Sequence, residues 1–363
     1  MIIGVDAGAL SISDDRLKVG VYRVTFELLK NLSLIDQTNE YRLYSFQLIH
    51  KKILKNFSMN MKNIVLSPAA GYFSFRLPLE LLLHPVDAFL GVSQAVPVMT
   101  KGKAIGFVYD IGFIHAPHLY GKDADKLRVQ TKNLVKRSSQ IVTNSYIVKK
   151  EIMKAHALDE TKVSVFPAGV SDVFRSSSFP LKRKHSYFLF VGSLRKGKNI
   201  VALLKIFHEF LKHSNEIYDL VLVGGDFWPD ETIDITMKAL HLEDRVVRTG
   251  VVSDETLARY YRGAVAFVTT SVSEGFCLPA AEAMASGCPV IAYDVGAIRE
   301  VVGDAGILVP FGKNAIFEKA MKLLAADGKK RRTLGVLGKR NATKYTWNDF
   351  SRNILHIIHA DTP

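Results

Sequence analysis

The sequence predicts an α/β protein built from two similar domains, and three observations carry that expectation. Short β-branched or aromatic runs recur at 2–5, 41–46, 63–66, 88–91, 105–109, 140–143 and 163–166. Helical patterns lie between several of them, as in a parallel sheet covered on both faces. After Pro180 the rhythm restarts with runs at 187–191, 220–223, 246–247, 264–269, 289–292 and 307–309. These runs are almost continuously apolar, as strands buried on both faces are. The chain of 363 residues, 48% of them hydrophobic, is long enough for two cores of ordinary domain size.

Composition bounds the function before any motif is read. Lys and Arg number 48 against 35 Asp and Glu, a net charge of +13, which attracts anionic partners without choosing among nucleic acid, phosphorylated ligands and acidic membranes. Cys277 and Cys288 are the only cysteines. They are too few for a disulfide framework and lack metal-ligand spacing, which favours a reducing compartment. The start, MIIGVDAGALSISDDR, meets Asp6 early and reads as a first strand, not a signal peptide. The longest apolar region, LPLELLLHPVDAFLGVSQAVPV, is broken by Glu80, His84, Pro85 and Asp87. It therefore lacks the roughly 20 clean residues of a spanning helix, and any membrane contact is expected to be peripheral.

Three strand-to-helix turns carry the chemical signal, because ligands of doubly wound sheets bind at the carboxyl ends of the strands. The first follows the run 187–191 and reads Gly192-Ser193-Leu194-Arg195-Lys196-Gly197-Lys198-Asn199. The helix after it has apolar residues at Ile200, Leu203, Leu204, Phe207, Phe210 and Leu211, one buried face. Arg195 and Lys198 thus lie where free N–H groups and the dipole already favour an anion such as a diphosphate.

The second turn is SEGFCLPAAEAMA, from Ser273 to Ala285. Pro279 opens a helix that Gly287 ends, so the loop of Glu274, Gly275, Phe276, Cys277 and Leu278 directs backbone N–H groups toward a ligand. A carboxylate can accept hydrogen bonds from a vicinal diol, and Glu274 with Glu282 could grip two parts of one molecule. The third turn, Lys18-Val19-Gly20-Val21-Tyr22-Arg23, places a glycine where a backbone must approach a ligand closely.

Taken in order, these turns resemble those of the family 4 retaining glycosyltransferases. The likeness rests on the Glu-x7-Glu element within SEGFCLPAAEAMASGCPVIA, on the following REVVGDAG, and on VGSLRKGKN, DRVVRTGVV, VTNS, FPAGVSDVF and the late YTWNDF. The resemblance implies a GT-B fold, two facing Rossmann-like domains with a cleft between them. The polar, basic stretch at 175–186 reads as a linker, which sets an acceptor-side domain at 1–174, a nucleotide-sugar-binding domain at 187–345, and a C-terminal helix at 346–363 that packs back on the first domain.

The residue roles are likewise those of the resemblance. It places Glu282 at the ribose hydroxyls and Glu274 at the donor sugar. Gly275, Phe276, Cys277 and Leu278 offer backbone amides, Lys198 contacts the diphosphate, and Gly20 and Gly250 complete the donor site. Arg195 is a substitute for a family arginine whose place Ser193 takes. Tyr109 stands where many members have a histidine, and Asp110 is a second polar group expected near the acceptor hydroxyl. Tyr22 and Cys277 replace glycines, so the sugar preference of relatives does not transfer directly.

The reaction the resemblance implies is hexose transfer from a nucleoside-diphosphate sugar to a glycan or polyprenyl-diphosphate-linked acceptor. Relatives of this pattern often build bacterial surface polysaccharide, frequently with mannose from GDP-mannose, in the cytoplasm or at the inner face of the membrane. No cofactor or metal is expected. Asp123-Ala124-Asp125 imitates a metal-binding DxD but begins an amphipathic helix, and His115 and His118 lack a third ligand. Arg128, Lys132 and Lys136, with Lys51, Lys52 and Lys55, could rest on acidic headgroups.

The alternatives are another GT-B enzyme such as a nucleotide-sugar 2-epimerase or a phosphorylase, and a non-catalytic nucleotide-binding relative. A nucleic-acid-binding module would want stacking aromatics or a known motif. A dinucleotide oxidoreductase would want G-x-G-x-x-G, and Gly4 and Gly8 have the wrong spacing.

Overall fold

The computed structural model describes residues 1–15, 20–176, 179–227 and 230–360. Lys18 and Val19 of the third turn, and Ser177 and Ser178 of the expected linker, lie outside the described residues. The chain divides into two compact units. One is 1–169 together with the stretch from Trp347; the other is 170–346.

The first unit holds strands β1 (Ile2–Asp6), β2 (Glu40–Ser45), β3 (Met61–Val65), β4 (Ala88–Gly91), β5 (Lys103–Val108), β6 (Gln140–Thr143) and β7 (Val163–Val165). They form one sheet in the order β3-β2-β1-β4-β5-β6-β7, every pair parallel. The second unit holds β8 (Ser186–Val191), β9 (Tyr218–Val223), β10 (Val246–Gly250), β11 (Ala266–Thr269), β12 (Val290–Tyr293) and β13 (Gly306–Val309). Their order, β10-β9-β8-β11-β12-β13, repeats the first sheet without its last strand. Both are doubly wound Rossmann-like sheets, as the apolar runs predict, and every run has its strand.

The second core shows why these segments take these forms. Phe188, Phe190, Leu220 and Leu222 pack with Leu203, Leu204, Phe207 and Phe210 of the helix Ile200–Lys212. Strand side chains alternate across the sheet while the helix presents one stripe, so the two periodicities meet in one layer.

The boundary between the units differs from the expected one. The chain passes from one to the other at Gly169–Val170, ahead of the polar stretch at 175–186. Val170 already donates its N–H to Tyr345 O, and Arg175 donates to Ala342 O and Tyr345 O. Phe174 is fully buried against Tyr261. A polar, basic composition looked like a linker, yet its cation serves to cap backbone carbonyls. The terminal helix Trp347–His359 packs against the helix Gly20–Ile35 within the first unit, and Lys103 Nζ donates to Ile357 O at 2.6 Å.

Candidate active site

In a sheet of this order the chain reverses its winding direction between the first and fourth strands, which opens a crevice at their carboxyl ends. In the second unit these strands are β8 and β11, paired at Ala266 with Phe188 and Phe267 with Leu189. The loops leaving them are the first two turns singled out in the sequence.

The loop after β8 ends in a single 3₁₀ turn, Lys196–Lys198, and Asn199 in the left-handed region before the helix Ile200–Lys212. The loop after β11 runs into the helix Leu278–Ala285. The two loops are tied together: Val272 N donates to Gly197 O at 3.0 Å, and Thr270 Oγ1 to Asn199 O at 2.9 Å. This holds Lys198 against Glu274. Lys198 Nζ lies 2.5 Å from Glu274 Oε1, and Ser271 Oγ donates to the same oxygen at 2.7 Å. The side chains of Lys198 and Glu274 are 17% and 11% exposed.

Glu274 is also fixed from behind. Ala297 N donates to Glu274 O at 2.9 Å. Gly296, at φ +52, lies so close that a Cβ there would come within 2.2 Å of Glu274 O. A second close approach forms the floor beside β8. Gly192 N donates to Val223 O and Gly224 N to Gly250 O, each at 2.9 Å. A Cβ on Gly224 would meet Gly192 O at 2.1 Å. Gly192, Gly224 and Gly250, at φ +150, +141 and +69, thus leave the ends of three neighbouring strands free of side chains.

Cys277 occupies the left-handed region at φ +71, immediately before the helix Leu278–Ala285. Only glycine adopts that region without cost. Burial, with the Glu274 carboxylate beside it, pushes the Cys277 thiol well above its ordinary range, so it is not a thiolate nucleophile. Glu282 lies inside the helix and is only 3% exposed, with Tyr261 O–H donating to its Oε2 at 3.2 Å. Arg195 precedes the 3₁₀ turn, where its carbonyl accepts from Lys198 N.

In the first unit the corresponding strands are β1 and β4. Asp6 ends β1 at 1% exposure and accepts from Gly8 N at 3.2 Å. Burial pushes its carboxyl up. Tyr109 follows β5 and donates its O–H to Val92 O at 2.8 Å. The hydroxyl that stands at the histidine's place is thereby spent on the backbone. Burial and then Asp6 hold that phenol neutral, well above its usual range. Asp110 Oδ1 accepts from Gly112 N at 3.1 Å and Tyr120 O–H at 3.3 Å. Gly20 opens the helix Gly20–Ile35, and a Cβ there would meet nothing within 4 Å.

Among the described residues no group of three His, Cys, Asp or Glu could hold a metal. Asp123 and Asp125 lie in the first turn of the helix Asp123–Arg137, where Arg128 pairs with Asp125. His115 pairs with Glu151 at 3.8 Å. No helix among the described residues is long and apolar enough to cross a membrane.

The structure brings together Lys198 and Glu274, which the sequence places on separate loops. Sequence reading missed Ser271, Gly224 and Gly296. Gly296 had a signal, a glycine just past a strand in the run DVGAIRE, but its neighbour, Glu274, is distant in sequence.

Residues 174–340 match the family described as glycosyl transferases group 1. Those residues carry that domain, and the two Rossmann-like sheets are those of the GT-B fold; the chain spans about half the length of the first of its curated relatives. It is 33% identical over 198 residues to the O-antigen chain mannosyltransferase RfbU of Salmonella typhimurium, covering 54% of this chain and 53% of that protein. It is 25% identical to O-antigen chain mannosyltransferase B of Escherichia coli over 93% of this chain and 95% of that one. The structure of WaaG, a glycosyltransferase involved in lipopolysaccharide biosynthesis, superposes with a TM-score of 0.79 at 13% identity, covering 99% of this chain and 100% of WaaG.

Proposed function

We propose that the chain is a retaining, family 4 hexosyltransferase that moves mannose from GDP-mannose to a glycan or polyprenyl-diphosphate-linked acceptor in surface polysaccharide synthesis. The observation that carries the reading is the Lys198–Glu274–Ser271 cluster at the β8/β11 crevice. It pairs a cation for a diphosphate with a carboxylate for sugar hydroxyls. The choice of mannose rests on the relatives named O-antigen mannosyltransferases.

In this reading the diphosphate lies against Lys198 and the amides around Cys277, with Arg195 and Ser193 beside it. Glu282 meets the ribose, while Gly250, Gly275, Phe276 and Leu278 shape the donor pocket. As the bond from the sugar C1 to the diphosphate oxygen breaks, negative charge grows on the leaving group. Fixed donors stabilise that charge without reorganising. The acceptor oxygen attacks the same face and passes its proton to the departing phosphate. Glu274 orients and stabilises the cationic sugar without forming an ester, unlike the nucleophilic carboxylate of a retaining glycosidase.

No metal or other cofactor is part of this scheme. The exposed Arg128, Lys132 and Lys136, with Lys51, Lys52 and Lys55, support a cytoplasmic enzyme in peripheral contact with an acidic inner leaflet.

A thermal-shift panel of GDP-mannose, UDP-glucose, UDP-N-acetylglucosamine, GDP and UDP tests the reading, because a ligand of the native state raises the melting temperature. A guanine-specific shift that disappears in Glu282→Ala is expected. No shift with any nucleotide sugar at saturation contradicts it.

A further inference from the structure

We infer that the Lys198–Glu274 pair works against retention of the bare nucleoside diphosphate, the product of the reaction, and so favours a nucleotide that still carries its sugar. This rests on the reading that the diphosphate binds at Lys198.

In the ligand-free site the cation and the carboxylate neutralise one another at 2.5 Å, both largely buried. A phosphate that approaches Lys198 competes with Glu274 Oε1 for its charge. The carboxylate then keeps the Ser271 hydroxyl but loses its counter-charge and gains an anion as neighbour. Stranding one member of a half-buried pair is costly.

The backbones of both residues are held in place. The Lys198 loop is fastened through Val272 and Thr270. The Glu274 backbone is held by Ala297 N, with Gly296 packed behind it. Sugar hydroxyls remove the penalty by donating to the freed carboxylate. Nucleotide and sugar therefore bind non-additively: the sugar compensates for what the phosphate disrupts. After transfer the sugar is gone, Glu274 again lacks both its counter-charge and the sugar hydroxyls, and re-formation of the ion pair helps to expel the diphosphate.

Calorimetric titration of the whole chain with GDP and with GDP-mannose tests this, comparing wild type, Glu274→Gln and Ser271→Ala. The melting temperature of each variant first establishes that it is folded. Glu274→Gln removes the charge that the phosphate would strand, so GDP binding should tighten about tenfold while GDP-mannose gains less. Ser271→Ala removes the last donor to the stranded carboxylate, so GDP binding should weaken about threefold. It also keeps the inference testable if Glu274→Gln does not fold. GDP bound no more tightly by Glu274→Gln, or no more weakly by Ser271→Ala, overturns the inference while leaving the transferase reading in place. If neither ligand binds any of the proteins, the transferase reading fails and the inference falls with it.

Discussion

The two sheets share a strand order, yet the crevices at their reversal points hold opposite chemistry. At β8/β11 in the second unit, a lysine, a glutamate and a serine meet over a floor of glycines, with loops fastened to one another. At β1/β4 in the first unit, no cation among the described residues pairs with buried Asp6, and the Tyr109 hydroxyl is spent on a backbone carbonyl. The fold supplies two equivalent places for a ligand, and the side chains in the loops decide which place binds an anion. The difference teaches that a repeated topology is not a repeated site.

The comparison breaks most readily at Lys198. Lys198→Ala removes the cation of the second crevice and strands Glu274, and transfer should fall by about 10²–10³ in kcat, measured as GDP released from GDP-mannose. Loss of less than tenfold would show that the charge contrast between the crevices is not what drives the chemistry.

Next in size is the floor. Gly224→Ala puts a Cβ 2.1 Å from Gly192 O at a φ of +141. It should cost about 2–4 kcal/mol, read as a lower denaturant midpoint with an unchanged slope. Cys277→Gly relieves a left-handed cysteine and should change stability by only about 1 kcal/mol, since glycine also gains unfolded-state entropy.

The smallest effect sharpens the contrast from the other side. Burial raises the Asp6 carboxyl in the folded protein above its unfolded value, so the native state binds that proton more tightly. The stability it contributes is present at low pH and is lost as pH rises through the folded pKa. Asp6→Asn should therefore lose a component of the pH dependence of the melting temperature, and at neutral pH it should be no less stable than wild type. A marked loss of stability at neutral pH would mean that the hydrogen bonds Asp6 accepts from Gly8, Ser93 and Tyr72 outweigh the cost of its burial.

Much of this was legible in the chain. Each strand announced itself because a sheet covered on both faces leaves an unbroken apolar run. The helix at Ile200 showed its stripe, and Pro279 and Gly287 bracketed the helix that follows Glu274. Contacts across the sequence were less visible. Ser271, three residues from Glu274, looks like any loop serine until its hydroxyl is seen on Oε1. Gly224 and Gly296 matter through backbone atoms of distant residues, which no local pattern records. Tyr109 looked like an available donor, and only packing against Val92 takes that donor away. The polar stretch after Phe174 looked like a linker because composition does not reveal that Arg175 has carbonyls to cap.

The central claim is that a nucleotide sugar binds at the β8/β11 crevice through Lys198 and Glu274, and a crystal structure of the chain with GDP-mannose tests it most directly. The expected result is a diphosphate oxygen within about 3 Å of Lys198 Nζ, the ion pair to Glu274 broken, and Glu274 accepting from sugar hydroxyls. A nucleotide seated elsewhere, or an ion pair still closed beside a bound nucleotide sugar, would contradict the account.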